Sequence, residues 1–325
     1  MITNIISNFQ KLCIYINFFI LLPISFILLQ KARIHLNHWE LNKQELAYMH
    51  RPKINDLNYI ILFTNFLILT RLAWKKYVFK HLDSKFIKEP SKNETMSIKY
   101  EKIYTGSFKC VYFIFTSLWG LYLMYTSNYV PNLLGGNLST EKFLNVTFYG
   151  LPFKNIESFH IKMYYFWNFS YHLMSTLFHF TQTNRKNWHE MTMHHIVTLI
   201  LITFSYMLGI IKIGHIVMLL HDIPDIFVYS SKVLNELKNT KNLLIFSYII
   251  GLVGSFAYFR IYVLSFNIIY PLTLVKTDYE YYNTCINYFN ILLGFLLLLH
   301  IYWYNLILYM ITKFILGHKI TDKQE

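Results

Sequence analysis

Apolar runs of bilayer length recur along this chain and restrict it to helices packed inside a lipid environment. An α-helix rises 1.5 Å per residue, so about twenty consecutive apolar residues cross the hydrocarbon core of a bilayer. Runs near that length occupy residues 12–29, 57–77, 108–127, 164–180, 194–211, 214–233, 243–270 and 286–315. They predict an all-α, polytopic membrane protein with eight spans. The count is seven if the first run is a signal anchor or an interfacial helix, since it carries Asn17 and Pro23 and lacks the small-residue cleavage site of a secretory signal. Composition closes other routes. Only 14% of residues are charged, against roughly 25% in soluble domains. With 19% aromatic residues and only 11 glycines and 7 prolines, a disordered or collagen-like chain is equally excluded.

The formal charge of +13 does not point to nucleic acid, because the basic residues sit in short loops beside the apolar runs, as the positive-inside rule requires. The segment 75–102 holds Lys75, Lys76, Lys80, Lys85, Lys88, Lys92, Lys99 and Lys102. Placing it in the cytosol also puts there Arg185 and Lys186, residues 232–241, and the tail with Lys319 and Lys323. The basic-poor loops around 128–160 and 270–285 then face the other side. Two sequons, beginning at Asn137 and Asn145, fall in the first of these loops, whereas the sequon at Asn93 stays cytosolic and unglycosylated. Cys13, Cys110 and Cys285 form no CxxC and no close pair, so neither a disulfide nor a zinc framework is expected. The charged stretch divides an N-terminal region, 1–104, of one or two hydrophobic helices and a basic loop, from a six-helix unit, 105–316, followed by a short cytosolic tail, 317–325.

Polar residues at bilayer depth carry the functional signal, since an Asp or Lys at a helix centre costs about 2.5–3.5 kcal/mol even on lenient insertion scales. They concentrate on two consecutive helices joined by a short turn: His189, Glu190, Thr192, His194 and His195 on the first, then Lys212, His221, Asp222 and Asp225 on the second. His221 and Asp225 are four apart and Asp222 and Asp225 three apart, while Thr198 is within that reach of both His194 and His195. A carboxylate accepting one ring N–H would leave the other nitrogen as a base or nucleophile. Pro224 removes a backbone donor and bends its helix. Against this stands the plainer reading that one aspartate simply pairs with Arg260 in the next helix, or with Lys212. His172, His179, His215 and His300, taken singly, read as packing or interhelical hydrogen-bond residues.

Fourteen histidines raise the question of a metal oxygenase, but the spacings that bring imidazoles onto one helix face are missing. His189 precedes His194 by five positions and Met193 stands four after His189, which removes HExxH. His35 and His38 form only one short pair. No metal site and no resident cofactor are expected.

At these residues the chain resembles the ceramide synthase family, whose six-helix TLC domain carries a motif of about fifty residues. The matching stretch is 185–237, with the paired His194 and His195, Thr198, Ser205, Tyr206, Gly214, the His221–Asp222 pair, Asp225 and Lys232. Weaker agreement continues at Tyr164, Tyr165, Phe259, Arg260 and the run from Leu299 to Trp303, so the resemblance covers roughly 105–316. Three positions depart from the family: Asn187 replaces a usual Asp, Lys212 a usual Arg, and the glutamate common near the first helix of the domain is replaced around Phe108–Cys110.

The resemblance implies transfer of a fatty acyl group from acyl-CoA, as co-substrate, to the amine of a sphingoid base in the endoplasmic reticulum membrane. In that reading His194 and His195 share the nucleophile and base roles, His221 belongs to the catalytic set, and Asp222 and Asp225 orient and balance a developing imidazolium. Arg185, Lys186, Thr198 and Arg260 are the substrate-binding candidates, although Arg185 and Lys186 also suit a snorkelling or positive-inside role. Two other classes stay open: a non-catalytic TLC-domain protein that binds or senses lipid or assists trafficking, and a proton-coupled transporter, for which no internal repeat is visible. The sequence leaves open acyl-chain length, the sphingoid base, and whether a homo- or heterodimer forms.

Overall fold

The computed structural model describes residues 56–90, 95–148, 159–180, 188–240, 243, 247–277 and 280–316. The apolar run at 12–29, together with Arg185 and Lys186 and the sequon at Asn93, lies outside them. Every named element is helical: α1 Asp56–His81, α2 Met96–Thr126, α3 Thr140–Phe148, α4 Phe159–Phe180, α5 Trp188–Met207, α6 Ile211–Glu236, α7 Ser247–Ile269, α8 Tyr270–Leu274 and α9 Glu280–Ile315. α7 is wound with the wider i→i+5 hydrogen bonding of a π-helix and passes directly into α8. The long helices coincide with the apolar runs from 57 onward. α3, an added short helix between α2 and α4, has no counterpart among them.

The polarity of the surface is that of a membrane protein. α1 turns Leu57, Ile61, Leu62, Phe66, Leu69 and Leu72 outward, and α2 exposes Ile114, Leu118 and Tyr122 at four-residue steps. In water such stripes would be aggregation sites; against lipid they need no cover. Among the described residues four helical segments are long and apolar enough to cross a bilayer, Asp56–Val78, Met96–Thr126, Gly251–Leu274 and Tyr282–Lys313. The expected count of seven or eight is therefore met only in part. α4, α5 and α6 have 22, 20 and 26 residues and are not among these four segments; they carry buried polar side chains, among them Asn168, His195 and Asp222.

Loop contacts sort the chain into two ends that match the charge pattern. At one end Ile87 bridges to Leu237, and the Lys88 and Lys238 amides donate to the carbonyls of Glu236 and Phe86 at 2.9 Å each. Beside them the buried Lys99 and Glu236 pair at 2.7 Å. At the other end Lys212 Nζ donates to the Val146 carbonyl (3.2 Å), Tyr282 to Leu208 (2.8 Å) and Tyr258 to Leu133 (2.6 Å). The lysine-rich segments thus meet one another, and the basic-poor loops gather opposite. α5 ends at this second pole: Gly209, with φ +75°, reverses the chain between α5 and α6 in a backbone region that other residues avoid.

Asn137 and Asn145 are both exposed at the basic-poor pole. Expression in a eukaryotic host is expected to add an endoglycosidase-sensitive mass that disappears in Asn137→Gln/Asn145→Gln and persists in Asn93→Gln. The reverse pattern would invert the orientation.

Candidate active site

The hairpin of α5 and α6 sets the level of the site. His194 precedes the turn that starts at Leu208 by fourteen residues, and Pro224 follows its end at Ile210 by fourteen, so both lie about 21 Å from the turn. His221, Asp222 and Asp225 cluster around that level. Along α5, His194, Thr198, Leu201, Ile202 and Ser205 follow one helix face at steps of three and four, and all five line a single cavity with an open side.

The cavity is graded from polar to apolar. One end gathers His172 of α4, His194 of α5, His221, Asp222 and Asp225 of α6, and Arg260 of α7. The middle is walled by Leu201, Ile202, Val217, Met218 and Leu296, and the far end carries Ser205, Gly214 and Phe289. The polar end lies towards the lysine-rich pole, because His194 is only six residues, about 9 Å, from the start of α5.

Arg260 organises the polar end. Its guanidinium meets Asp225 Oδ1 at 2.7 Å and donates to the His221 carbonyl at 2.7 Å, while the Phe256 ring lies 4.8 Å beneath it. Pro224, inside α6, lacks the N–H that would bond the Leu220 carbonyl, so the helix is a hydrogen bond short one residue before His221. Lys212, the other cation weighed from the sequence, is engaged with Val146 at the opposite pole. Asp222, 1% exposed, has no cation at hydrogen-bond range among the described residues and meets hydroxyls instead, Tyr164 at 3.5 Å and Thr116.

His221 is oriented by backbone rather than by carboxylate. Its Nδ1 lies 2.6 Å from the Val217 carbonyl, an atom that can only accept, so Nδ1 bears the hydrogen and Nε2 the lone pair. Nε2 has no hydrogen-bond partner among the described residues. The i to i+4 pairing of His221 with Asp225 expected from spacing does not form, because Arg260 takes the carboxylate. His194 Nδ1 and Thr198 Oγ1 are likewise unpartnered, and Trp303 packs against the His194 ring edge-to-face at 5.2 Å.

The two adjacent histidines part company. His195 is absent from the cavity lining and packs on His179, ring centroids 5.3 Å apart, with His179 held by Thr192 at 2.9 Å. Successive residues on a helix diverge by about 100°, so one cavity receives one of the pair. His172, read from sequence as packing, joins the polar end, and His300 lies 4.7 Å from His221, ring to ring. Nothing in their local sequence marks them; both depend on which helices become neighbours. Lys109 donates to the Tyr229 hydroxyl at 3.2 Å. Among the described residues no three His, Cys, Asp or Glu side chains converge as metal ligands.

Breaking a buried ion pair from one side typically costs about 3–5 kcal/mol, whereas replacing both partners by apolar residues is often near neutral. Arg260→Leu is therefore expected to lower the detergent-solubilised melting temperature sharply, and Arg260→Leu/Asp225→Leu to recover most of the loss. Thermal melts in which the double variant falls as far as the sum of the single ones would show that the two side chains act independently.

Comparison with known proteins agrees with this architecture. The TLC domain profile matches residues 102–309, well over half of the chain. Ceramide synthase LOH1 of Arabidopsis thaliana is 26% identical over 286 residues, covering 81% of this chain and 87% of that protein. Ceramide synthase 4 of Bos taurus is 38% identical over 135 residues, 41% of this chain and 33% of the bovine one, and ASC1-like protein 3 of Oryza sativa subsp. japonica is 33% identical over 147 residues, 41% and 48%. The chain thus spans a third to a half of two of these relatives and most of the third. With its cavity between the helices of that matched region, the chain belongs to the TLC-domain family, and the relatives it resembles there include ceramide synthases.

Proposed function

We propose that this protein is an N-acyltransferase that moves a fatty acyl group from acyl-CoA to the amine of a sphingoid base. The carrying observation is the graded cavity: imidazoles with unpartnered nitrogens and buried carboxylates at one end, continuous with an apolar wall that suits a hydrocarbon tail. The named relatives among the ceramide synthases support the same reading. In it residues 105–316 form the catalytic unit, α4, α5 and α6 also cross the bilayer, the protein resides in the endoplasmic reticulum membrane, and the lysine-rich pole and the C-terminus face the cytosol, where CoA is found.

The chemistry follows from the groups in place. A sphingoid base arrives as an ammonium and must lose a proton before it can attack. His221 Nε2, with its tautomer set by Val217, accepts that proton. His194 attacks the thioester carbon; the C–N bond to the imidazole forms as the C–S bond breaks, and CoA leaves as the thiolate. The proton held by His221 passes to the thiolate; the neutral amine then displaces the imidazole, and the second proton it sheds on becoming the amide is taken by the vacated His221 Nε2 and released to solvent, so that each turnover yields amide, CoA thiol and one proton. Asp222 balances the positive charge that builds on the imidazoles. Arg260 Nε, without a hydrogen-bond partner among the described residues, is a donor available to the thioester oxygen as it gains charge. Thr198 lines the path of the acyl chain. His195, on the neighbouring helix face, is a positioning residue in this scheme. Arg185 and Lys186 are proposed to meet the CoA phosphates.

Microsomes from cells without endogenous activity, supplied with palmitoyl-CoA and dihydrosphingosine, provide the test. Wild-type protein is expected to form the amide, and His194→Ala and His221→Ala to reduce the rate by roughly 10²-fold or more at equal abundance, the size of a lost acid–base or nucleophilic group. No product from folded wild type would return the reading to a lipid-binding or sensing protein. Undiminished product from both variants would displace the chemistry from this cavity.

A further inference from the structure

The far end of the cavity is built differently from its walls. Tyr165 of α4 and Ser205 of α5 are each 1% exposed and share a hydrogen bond of 2.8 Å, and Ser205 Oγ also lies 3.0 Å from the Ile202 carbonyl. Gly214 of α6 completes the closure. A Cβ there would overlap the Tyr165 hydroxyl and lie 2.6 Å from Ser205 Oγ, so the absence of a side chain at 214 is what allows the phenol to reach across to the serine. The two hydroxyls satisfy each other, which leaves no unpaired polar atom for a methyl terminus to meet.

Three helices give the same axis. On α5 the cavity runs from His194 to Ser205, eleven residues or about 16 Å. On α4 the seven residues from His172 to Tyr165, and on α9 the seven from Leu296 to Phe289, each descend about 10 Å towards the same floor. A chain attached at His194 and extended along this axis would run past Leu201, Val217 and Leu296 and arrive at Ser205 and Gly214, which the Tyr165 hydroxyl backs directly.

Resting on the acyl-transfer reading above, we infer that the Tyr165–Ser205 pair, seated on Gly214, is the floor of the acyl-chain site and sets the longest acyl group the enzyme accepts. Lowering the floor admits longer chains; raising it excludes them. The effect is steep, because one methylene gained or lost in a closed apolar pocket changes discrimination by roughly 10- to 200-fold.

The experiment offers wild type and variants an equimolar mixture of saturated acyl-CoAs, stepped by two carbons from myristoyl to hexacosanoyl, with dihydrosphingosine, and reads the amide series by mass spectrometry. Tyr165→Leu is expected to raise the ratio of longer to shorter products by roughly tenfold or more, and Gly214→Ala, which pushes a methyl group into the floor, to lower it. Tyr165→Phe withdraws only the hydroxyl, keeps the ring packed, and should shift the ratio in the same direction as Tyr165→Leu by a smaller factor. If Gly214→Ala does not accumulate, the two Tyr165 variants decide the matter. Amide formed with an unchanged profile in both would overturn the floor and leave the acyl-transfer reading standing. No amide from wild type would instead remove the reading on which the floor rests.

Discussion

A carboxylate sunk between helices has to be compensated, and the contact of Arg260 with Asp225 does so where α6 meets α7. Taken alone, such a pair roughly breaks even, because two ions lose their water for each other. Its consequence is geometric. The guanidinium that holds Asp225 also holds the His221 carbonyl. That arrangement ties α7 to α6 at the turn that carries both residues. Asp225 is thereby engaged, while among the described residues Asp222 is hydrogen-bonded by hydroxyls and His221 keeps Nε2 unpartnered towards the cavity.

From that point the wall turns apolar at Leu201, Ile202, Val217, Met218 and Leu296 before the cavity ends at Ser205 and Gly214. A reaction joining a thioester to a long-chain amine needs a place for charge at the reacting atoms and none along the tails. Helices packed in lipid can supply both, because their outer faces need no polar residues and their inner faces are released from the usual apolar duty. α4, α5 and α6 carry polar side chains that line the site, among them His172, His194, Asp222 and Asp225. The four most apolar helical segments, by contrast, show large hydrophobic side chains to the surroundings.

Much of this was legible from sequence because one-dimensional rules govern it. Helix positions followed from run length, and the two poles followed from lysine placement, which the contacts between residues 86–88 and 236–238 reproduce. The pairing of an aspartate with Arg260 was foreseeable from the need to neutralise a buried charge. The orientation of His221 was not, because its partner is the Val217 carbonyl four residues back, a group every residue carries. The divergence of His194 and His195 follows from helix geometry, but which of them would face the cavity depends on the neighbouring helices. His172 and Tyr165 entered for the same reason: their place depends on how α4 packs against α5, and no local spacing encodes that. α3 lay inside a loop of mixed polarity without a periodic signal strong enough to reveal it.

The central claim is that one cavity between α5 and α6 receives the acyl thioester at His194 and His221. An electron cryo-microscopy structure of the protein in lipid nanodiscs with a non-reactive thioether analogue of palmitoyl-CoA tests it most directly. The account predicts density for the sulfur and adjacent carbon beside His194 and His221, with the tail running towards Ser205 and Gly214. A tail lying on the outer helix faces, or a head group held away from these two imidazoles, would contradict it.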